Sequence, residues 1–84
     1  MSTRDLINSI PEKHRHTIEV YSDLIAQRTI RNNAAGVNEY GKKLDGYLSC
    51  MKDAGIITEY GHLVLHNWYG RERVRIQIRE GAVK

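Results

Sequence analysis

The chain has 84 residues and a formal net charge of +3, and 40% of its residues are hydrophobic while 27% are charged. This length and composition indicate one ordered domain with a modest core, and they exclude a disordered chain. The single cysteine, Cys50, excludes an internal disulfide and a cysteine-based metal cluster. Because no apolar run is long enough to span a membrane and the N-terminus lacks the pattern of a signal peptide, we expect a cytoplasmic protein.

The N-terminal part of the chain begins with a leader or short helix over residues 1–10. The sequence "SIPE" places Ser9 three residues before Glu12, which is the spacing of a capping box at a helix start. From Glu12 to about Arg28 the apolar side chains recur at helical spacing, so we predict an amphipathic helix. Its expected buried stripe consists of Ile18, Tyr21, Leu24 and Ile25.

The middle of the chain predicts a turn or short helix and then a long helix. The sequence "RTIRNNAAG" indicates either a helix end with a tight turn or a short second helix over residues 29–35. A third helix is predicted with Asn38 as its N-cap, and Gly55 is expected to end it in a left-handed conformation. The apolar stripe of this third helix consists of Tyr40, Leu44, Tyr47, Leu48 and Met51.

In the C-terminal part of the chain, the spacing of the apolar residues changes from that of a helix to that of a strand. Both "HLVLHNW" and "RVRIQIR" are rich in β-branched or aromatic residues, the second alternates strictly, and "YGRE" between them suits a hairpin turn. Residues 59–79 are therefore predicted to form a β-hairpin, and residues 80–84 a frayed tail. Together with a helical part over residues 11–58, this predicts a single α+β domain. The hairpin residues expected to face the helices are Val74, Ile76 and Ile78. Because strand side chains alternate, Arg73, Arg75 and Arg79 are expected to face outward.

The stretch "TIRNNAAGVNEYGKKLDGYLSCMKDAGII", followed by the predicted hairpin, resembles winged helix-turn-helix domains. Leu44, Leu48 and Met51 match the buried positions of the recognition helix in that family. The segment "MKDAGII" is similar to the exit that leads from this helix into the first strand of the wing. The resemblance covers roughly residues 29–79.

The resemblance implies a small DNA-binding regulatory protein, with the third helix in the major groove and the hairpin as a wing on the DNA backbone. Residues at the start of a recognition helix reach base edges, and arginines on a wing contact phosphates or the minor groove. The DNA-binding residues that the resemblance implies are Asn38, Glu39, Lys42, Lys43, Arg71, Arg73 and Arg75.

Two other interpretations of the hairpin arginines stay open. Charged side chains protect edge strands from aggregation, so the arginines can be a solvated face of such a strand. They can also contact an acidic protein partner, which would make the chain a small inhibitor or adaptor of the kind that phages and mobile elements encode. Trp68 and Tyr69, with Tyr60, would then add an aromatic patch. For either function we expect a homodimer, because the core is small and strand edges are exposed.

Metal binding and catalysis find little support in the sequence. His14 and His16 point to different faces of a helix, and His62 and His66 would lie about 13 Å apart along a strand. Neither pair chelates a metal by itself, so a zinc site would have to be assembled from distant parts of the chain. Neither a Ser–His–Asp order nor a phosphate-binding glycine loop is present. We predict no enzyme activity, no cofactor and no metal.

Overall fold

The computed structural model describes residues 2–81, and all of their regular structure is helical. No strand occurs within these residues, so the predicted α+β class is wrong and this part of the chain is all-α. Residues 82–84 of the predicted tail lie outside the described residues. The elements are α1 (Thr3–Ser9), α2 (Glu12–Ile30), α3 (Ala34–Asp53), α4 (Glu59–Asn67), a π-helical segment (Trp68–Glu72) and α5 (Arg73–Arg79).

The capping box of this chain lies at α1 and not at α2. The amide of Asp5 donates to the Ser2 hydroxyl at 3.1 Å, and the Ser2 amide donates to the Asp5 carboxylate at 3.3 Å. At the start of α2, Pro11 is the N-cap and no side chain caps the helix. The capping box predicted at Ser9 is therefore wrong, because the Ser9 hydroxyl donates instead to a carbonyl within α1.

α2 and α3 form an antiparallel helical hairpin. Near the start of α2, His14 Nδ1 lies 2.6 Å from the Tyr47 hydroxyl, which belongs to the second half of α3. Near the end of α2, the Arg28 guanidinium lies 5.5 Å from the centre of the Tyr40 ring, in the first half of α3. Pairing of early with late residues fixes the antiparallel direction.

The turn between these helices is short and begins α3 earlier than expected. Asn32 has a φ of 53°, a left-handed conformation that asparagine tolerates better than most residues. The next residue, Asn33, is the N-cap, and its side chain accepts the Gly36 amide at 2.9 Å. Asn38 is therefore inside α3 and the predicted N-cap there is wrong. The alternative of a separate short helix over residues 29–35 is also wrong.

The end of α3 follows the sequence prediction. Gly55 has a φ of 77°, and the Ile56 amide donates to the Met51 carbonyl at 2.9 Å, which closes the last turn. This is the left-handed glycine cap expected there. Ile57 then enters the core, whereas Ile56 remains exposed.

The predicted β-hairpin is replaced by one helix, which we call the C-terminal helix: α4, the π-helical segment and α5 without a break. Asn67, Glu72 and Arg73, at the two joins, all have right-handed helical backbone angles. Within the segment the Arg73 amide donates to the Trp68 carbonyl, five residues earlier, which defines a π turn. Gly70, predicted as a hairpin turn residue, lies in this segment and faces the Leu44 side chain of α3.

The alternation in "RVRIQIR" was misleading because the same residues also satisfy helical spacing. Val74 and Gln77 are buried and Ile78 is half-buried, so the buried side is formed by residues three and four apart. β-propensity depends strongly on context, and packing against α2 determines the outcome here. Of the residues predicted to face the helices, Val74 is buried, whereas Ile76 and Ile78 are only half-buried.

The core lies between α2, α3 and the C-terminal helix. Ile18 and Ile25 of the predicted α2 stripe are buried, while Tyr21 and Leu24 are half-buried. Within residues 2–81 no helix has both the length and the hydrophobicity that crossing a membrane requires. The side chains that contribute most to the core are Ile18, Ile25, Leu44, Leu48, Met51, Leu65 and Tyr69.

Candidate functional site

The four α3 residues predicted to bind DNA are exposed on the outer side of the helical hairpin. Lys43 lies 3.9 Å from Glu39, and its ammonium lies 5.3 Å from the centre of the Tyr40 ring. Asn38 and Lys42 instead line a shallow depression of about 460 Å³. Glu39 thus neutralises part of the positive charge of this helix. Of the two lysines, Lys42 forms no ion pair in the described part of the chain.

The three predicted arginines do not behave alike. Arg71 and Arg75 are exposed, whereas Arg73 is half-buried. The Arg73 guanidinium lies 3.5 Å from the Asp23 carboxylate and 5.9 Å from the centre of the Tyr69 ring. The prediction that Arg73 faces outward is therefore wrong, because it was derived from strand alternation.

Helical spacing groups the exposed arginines differently from the strand alternation assumed in the sequence analysis. Arg71, Arg75 and Arg79 follow one another at intervals of four residues, so they share one side of the C-terminal helix. All three are exposed, and none forms an ion pair in the described part of the chain. We call these three residues the arginine face. Arg79 was missing from the predicted site, although the spacing of four is visible in the sequence once a helix is assumed.

The structure does not bring the two predicted groups together as a recognition helix and its wing. The α3 residues lie on the helical hairpin, and the arginine face lies on the helix that packs against α2. Because the described residues contain no β-hairpin, the wing that the resemblance implies is not formed.

A polar network holds the C-terminal helix against α2. The hydroxyl of Ser22, which is fully buried, donates to the Tyr69 carbonyl at 2.7 Å and lies 3.5 Å from the Gln77 amide oxygen. The Gln77 amide nitrogen donates to the Asp23 carboxylate, which also receives Arg73. Because hydrogen bonds depend on direction, this network fixes the rotation of the helix and hence the direction of the arginine face.

Among residues 2–81, Tyr69 is the largest fully buried side chain, and its hydroxyl has no hydrogen-bond partner there. Burial, followed by the nearby Glu19 carboxylate, raises the pKa of the Tyr69 hydroxyl from 10.0 to about 12. Its ring belongs to the core, so the predicted aromatic patch of Trp68, Tyr69 and Tyr60 is not formed. Trp68 is half-buried, and only Tyr60, at 65% exposure, is largely free.

His62 and His66 lie one helical turn apart, on the side of α4 that faces α3. The 13 Å separation expected along a strand is therefore wrong. Both imidazoles approach Asp45 of α3: His62 Nε2 lies 3.1 Å and His66 Nε2 lies 3.8 Å from the same oxygen, Oδ1. We call the surrounding cavity of about 510 Å³ the histidine groove. Its lining residues are Asp45, Lys52, Glu59, Tyr60, His62, Leu63 and His66.

The comparisons with known proteins do not assign a family. The chain matches no protein-family model, no curated protein and no solved structure. Membership of the winged helix-turn-helix family therefore stays a prediction from the sequence, and the hairpin that the resemblance implied is replaced by a helix.

Proposed function

We propose that this protein binds double-stranded DNA through the arginine face, without a β-hairpin wing. The observation that supports this proposal is that Arg71, Arg75 and Arg79 are exposed on one side of a helix and free of ion pairs. Arginines that merely solubilise a helix commonly pair with carboxylates three or four residues away. On this helix only Glu72 lies three or four residues from one of these arginines, Arg75, and it forms no ion pair among the described residues.

The dimensions of the arginine face suit a phosphate backbone. Arg79 lies eight positions after Arg71, which corresponds to about 12 Å along a helix. A DNA strand carries one charge per roughly 3.4 Å of its axis, so the row can contact several phosphates. Phosphate contacts position a protein but carry no sequence information. We propose that Lys42 and Asn38 of α3 add contacts to bases or phosphates.

The test is a salt titration of binding to duplex DNA with two charge-matched variants. The first replaces Arg71, Arg75 and Arg79 by Gln. The control replaces three other exposed basic residues by Gln: Arg4, Lys13 and Arg31. Both variants lose three positive charges from a net charge of +3, so a difference between them reports position and not total charge.

We expect the first variant to lose most of its affinity at low salt. The slope of log affinity against log salt should fall by about 2 to 3, since each lost phosphate contact removes roughly 0.9. The control should keep a slope close to that of the unmodified protein. Equal losses in both variants would show a diffuse electrostatic attraction, and no binding by the unmodified protein at low salt would disprove the proposal.

A second candidate function is a small protein-binding module. It is favoured by Tyr60 and Leu63, which are 65% and 61% exposed and lie three residues apart on α4. Exposed aromatic and aliphatic side chains on one helix side are typical of interfaces, and a second copy of the chain would give the homodimer expected from the sequence. Sedimentation equilibrium of the double variant Tyr60→Ser and Leu63→Ser should then show weaker self-association than the unmodified protein. A monomer in both samples contradicts the homodimer.

We place this activity in the cytoplasm. The support is the chain's single cysteine, Cys50, which is free and exposed. Free exposed thiols persist best in reducing compartments.

A further inference from the structure

We propose that the histidine groove is the contact surface of a two-fold homodimer, in which it binds the same groove of a second copy of this chain. The dimer rests on the second candidate function, self-association, and the groove supplies the surface and the charges that determine it. It is independent of the proposed DNA binding, because no residue of the arginine face lines the groove.

The apolar side chains that a second copy would cover are concentrated at this groove. Among residues 2–81, Tyr60 and Leu63 are the two most exposed large hydrophobic side chains, and both line the groove. The other exposed ones, Val20, Ile30 and Ile56, are less exposed and lie outside it. Aromatic side chains are enriched at the centres of protein interfaces. We therefore expect Tyr60 and Leu63 at the centre of the contact.

The free charges of the groove have opposite signs. The Asp45 carboxylate lies 3.1 Å from His62 Nε2, so it already has a partner within the chain. Lys52, which is half-buried, and Glu59, which is exposed, also line the groove. Neither of these two forms an ion pair in the described part of the chain. The groove therefore offers a partner one positive and one negative charge.

One charge of each sign is what a two-fold contact requires. In such an interface, residue i of one copy contacts residue j of the other, and the reverse contact occurs as well. Lys52 of each copy would pair with Glu59 of the other, so the ion pair would occur twice. The arginine face cannot bind itself in this way, because like charges would face each other and repel. Charge complementarity thus favours a second copy as the occupant of the groove.

The test is sedimentation equilibrium of the full chain with two charge reversals, Lys52→Glu and Glu59→Lys, measured separately and as an equimolar mixture. In a homodimer, each reversal places like charges opposite each other at both contacts. Each variant alone should therefore self-associate at least about tenfold more weakly than the unmodified protein. In the mixture, the two different chains carry opposite charges at both contacts, so a heterodimer should form with nearly the affinity of the unmodified homodimer.

The matched controls reverse charges outside the groove. Lys13→Glu and Glu80→Lys change the net charge by the same amounts as the two groove variants, and both positions are exposed. They should self-associate as the unmodified protein does. Weaker association in the groove variants alone then reports the position of a charge and not the total charge.

A second pair of variants covers the case in which a reversal disturbs a helix end, as circular dichroism would show. Lys52→Gln and Glu59→Gln remove one charge each without reversing it, so each variant alone loses both ion pairs. Their equimolar mixture regains one of the two pairs, and it should associate more strongly than either variant alone.

Three results would overturn the proposed dimer. Groove variants that self-associate as well as the unmodified protein would show that the chain associates through another surface. Folded groove variants whose association is weakened, but not recovered in the mixture, would show that Lys52 does not pair with Glu59. An unmodified protein that stays monomeric into the millimolar range would contradict self-association itself, and with it the second candidate function.

Discussion

The contact between α2 and α3 differs in kind from the contact that both helices make with the C-terminal helix. In the first contact, α2 and α3 bury apolar side chains such as Ile18, Leu44 and Leu48, and such burial is not directional. The C-terminal helix also buries Leu65 and Val74, but polar bonds from Ser22, Asp23 and Asp45 hold it as well. The first contact therefore supplies stability, while the second determines how a helix is rotated. The arginine face belongs to the helix that the second contact orients.

The largest effect on stability should come from the apolar contact. Leu48 is fully buried, so Leu48→Ala should lower the free energy of unfolding by about 2–5 kcal/mol. Urea denaturation followed by circular dichroism measures the change. Leu63→Ala is the matched control, because Leu63 is 61% exposed and its loss should change stability by no more than about 0.5 kcal/mol. Similar values for the two variants would contradict the described core.

An alkaline titration tests the burial of the C-terminal helix at Tyr69. The pKa of Tyr69 is raised from 10.0 to about 12, so the folded state favours the protonated hydroxyl. That contribution is complete below pH 10 and is lost as the pH rises from 10 to 12, which lowers stability by up to about 2–3 kcal/mol.

Tyr69→Phe should remove this part of the alkaline loss, as measured by urea denaturation at pH 9, 10 and 11. At neutral pH the variant should be no less stable than the unmodified protein, since the hydroxyl has no hydrogen-bond partner among the described residues. Tyr60→Phe, at an exposed ring, is the control and should leave the alkaline loss unchanged. A Tyr69→Phe profile that parallels that of the unmodified protein would show that the hydroxyl is solvated.

The polar contact is tested most directly at Ser22. Ser22→Ala leaves the Tyr69 carbonyl without its side-chain donor, at an expected cost of about 1–3 kcal/mol. Amide hydrogen exchange in this variant should become faster in the C-terminal helix, whereas the exchange rates in α3 should remain below those of the C-terminal helix. Ser9→Ala removes a hydroxyl whose bond is exposed to water and should change stability by less than about 0.5 kcal/mol. Uniformly faster exchange would mean that Ser22 only contributes to global stability.

The smallest expected effect on stability comes from replacing two glycines of α3 by alanine. A Cβ at Gly46 would meet nothing within 4 Å, so Gly46→Ala should stabilise the protein by about 0.5–1 kcal/mol through helix propensity. A Cβ at Gly36 would lie 2.8 Å from Arg28 Cδ, and the Arg28 side chain would have to move away. Gly36→Ala should therefore gain less than Gly46→Ala in thermal unfolding. A larger gain at Gly36 would show that Arg28 does not pack there.

How much of the fold the sequence predicts depends on whether the local pattern was unambiguous. α2 and the glycine cap of α3 were predicted because the helical spacing and Gly55 agree with each other. The C-terminal helix was missed because "RVRIQIR" fits two periods, and strand propensity favoured the wrong one. Only packing of Val74 and Gln77 against α2 distinguishes them, and that contact is not visible in a local sequence pattern.

The candidate sites were affected by the same ambiguity. Arg71 and Arg75 were predicted and are exposed, but Arg73 was placed outward because strand side chains alternate. The pairing of His62 with Asp45 was missed because a strand would carry the histidines far apart. Asp45 and His62 are 17 positions apart in the sequence, so no local rule connects them.

The π-helical segment determines how a one-residue deletion affects the direction of the arginine face. A π turn holds one residue more than an α turn, and each residue of an α-helix turns the chain by about 100°. Deleting a single residue other than Arg71 between Trp68 and Glu72 would therefore let this turn close as an α turn, and the residues after the deletion would keep roughly their present direction. The same deletion within α4, which has no extra residue, would rotate everything after it by that angle. A loss of three nucleotides from the coding sequence is thus absorbed in this segment, whereas within α4 it would redirect the arginine face.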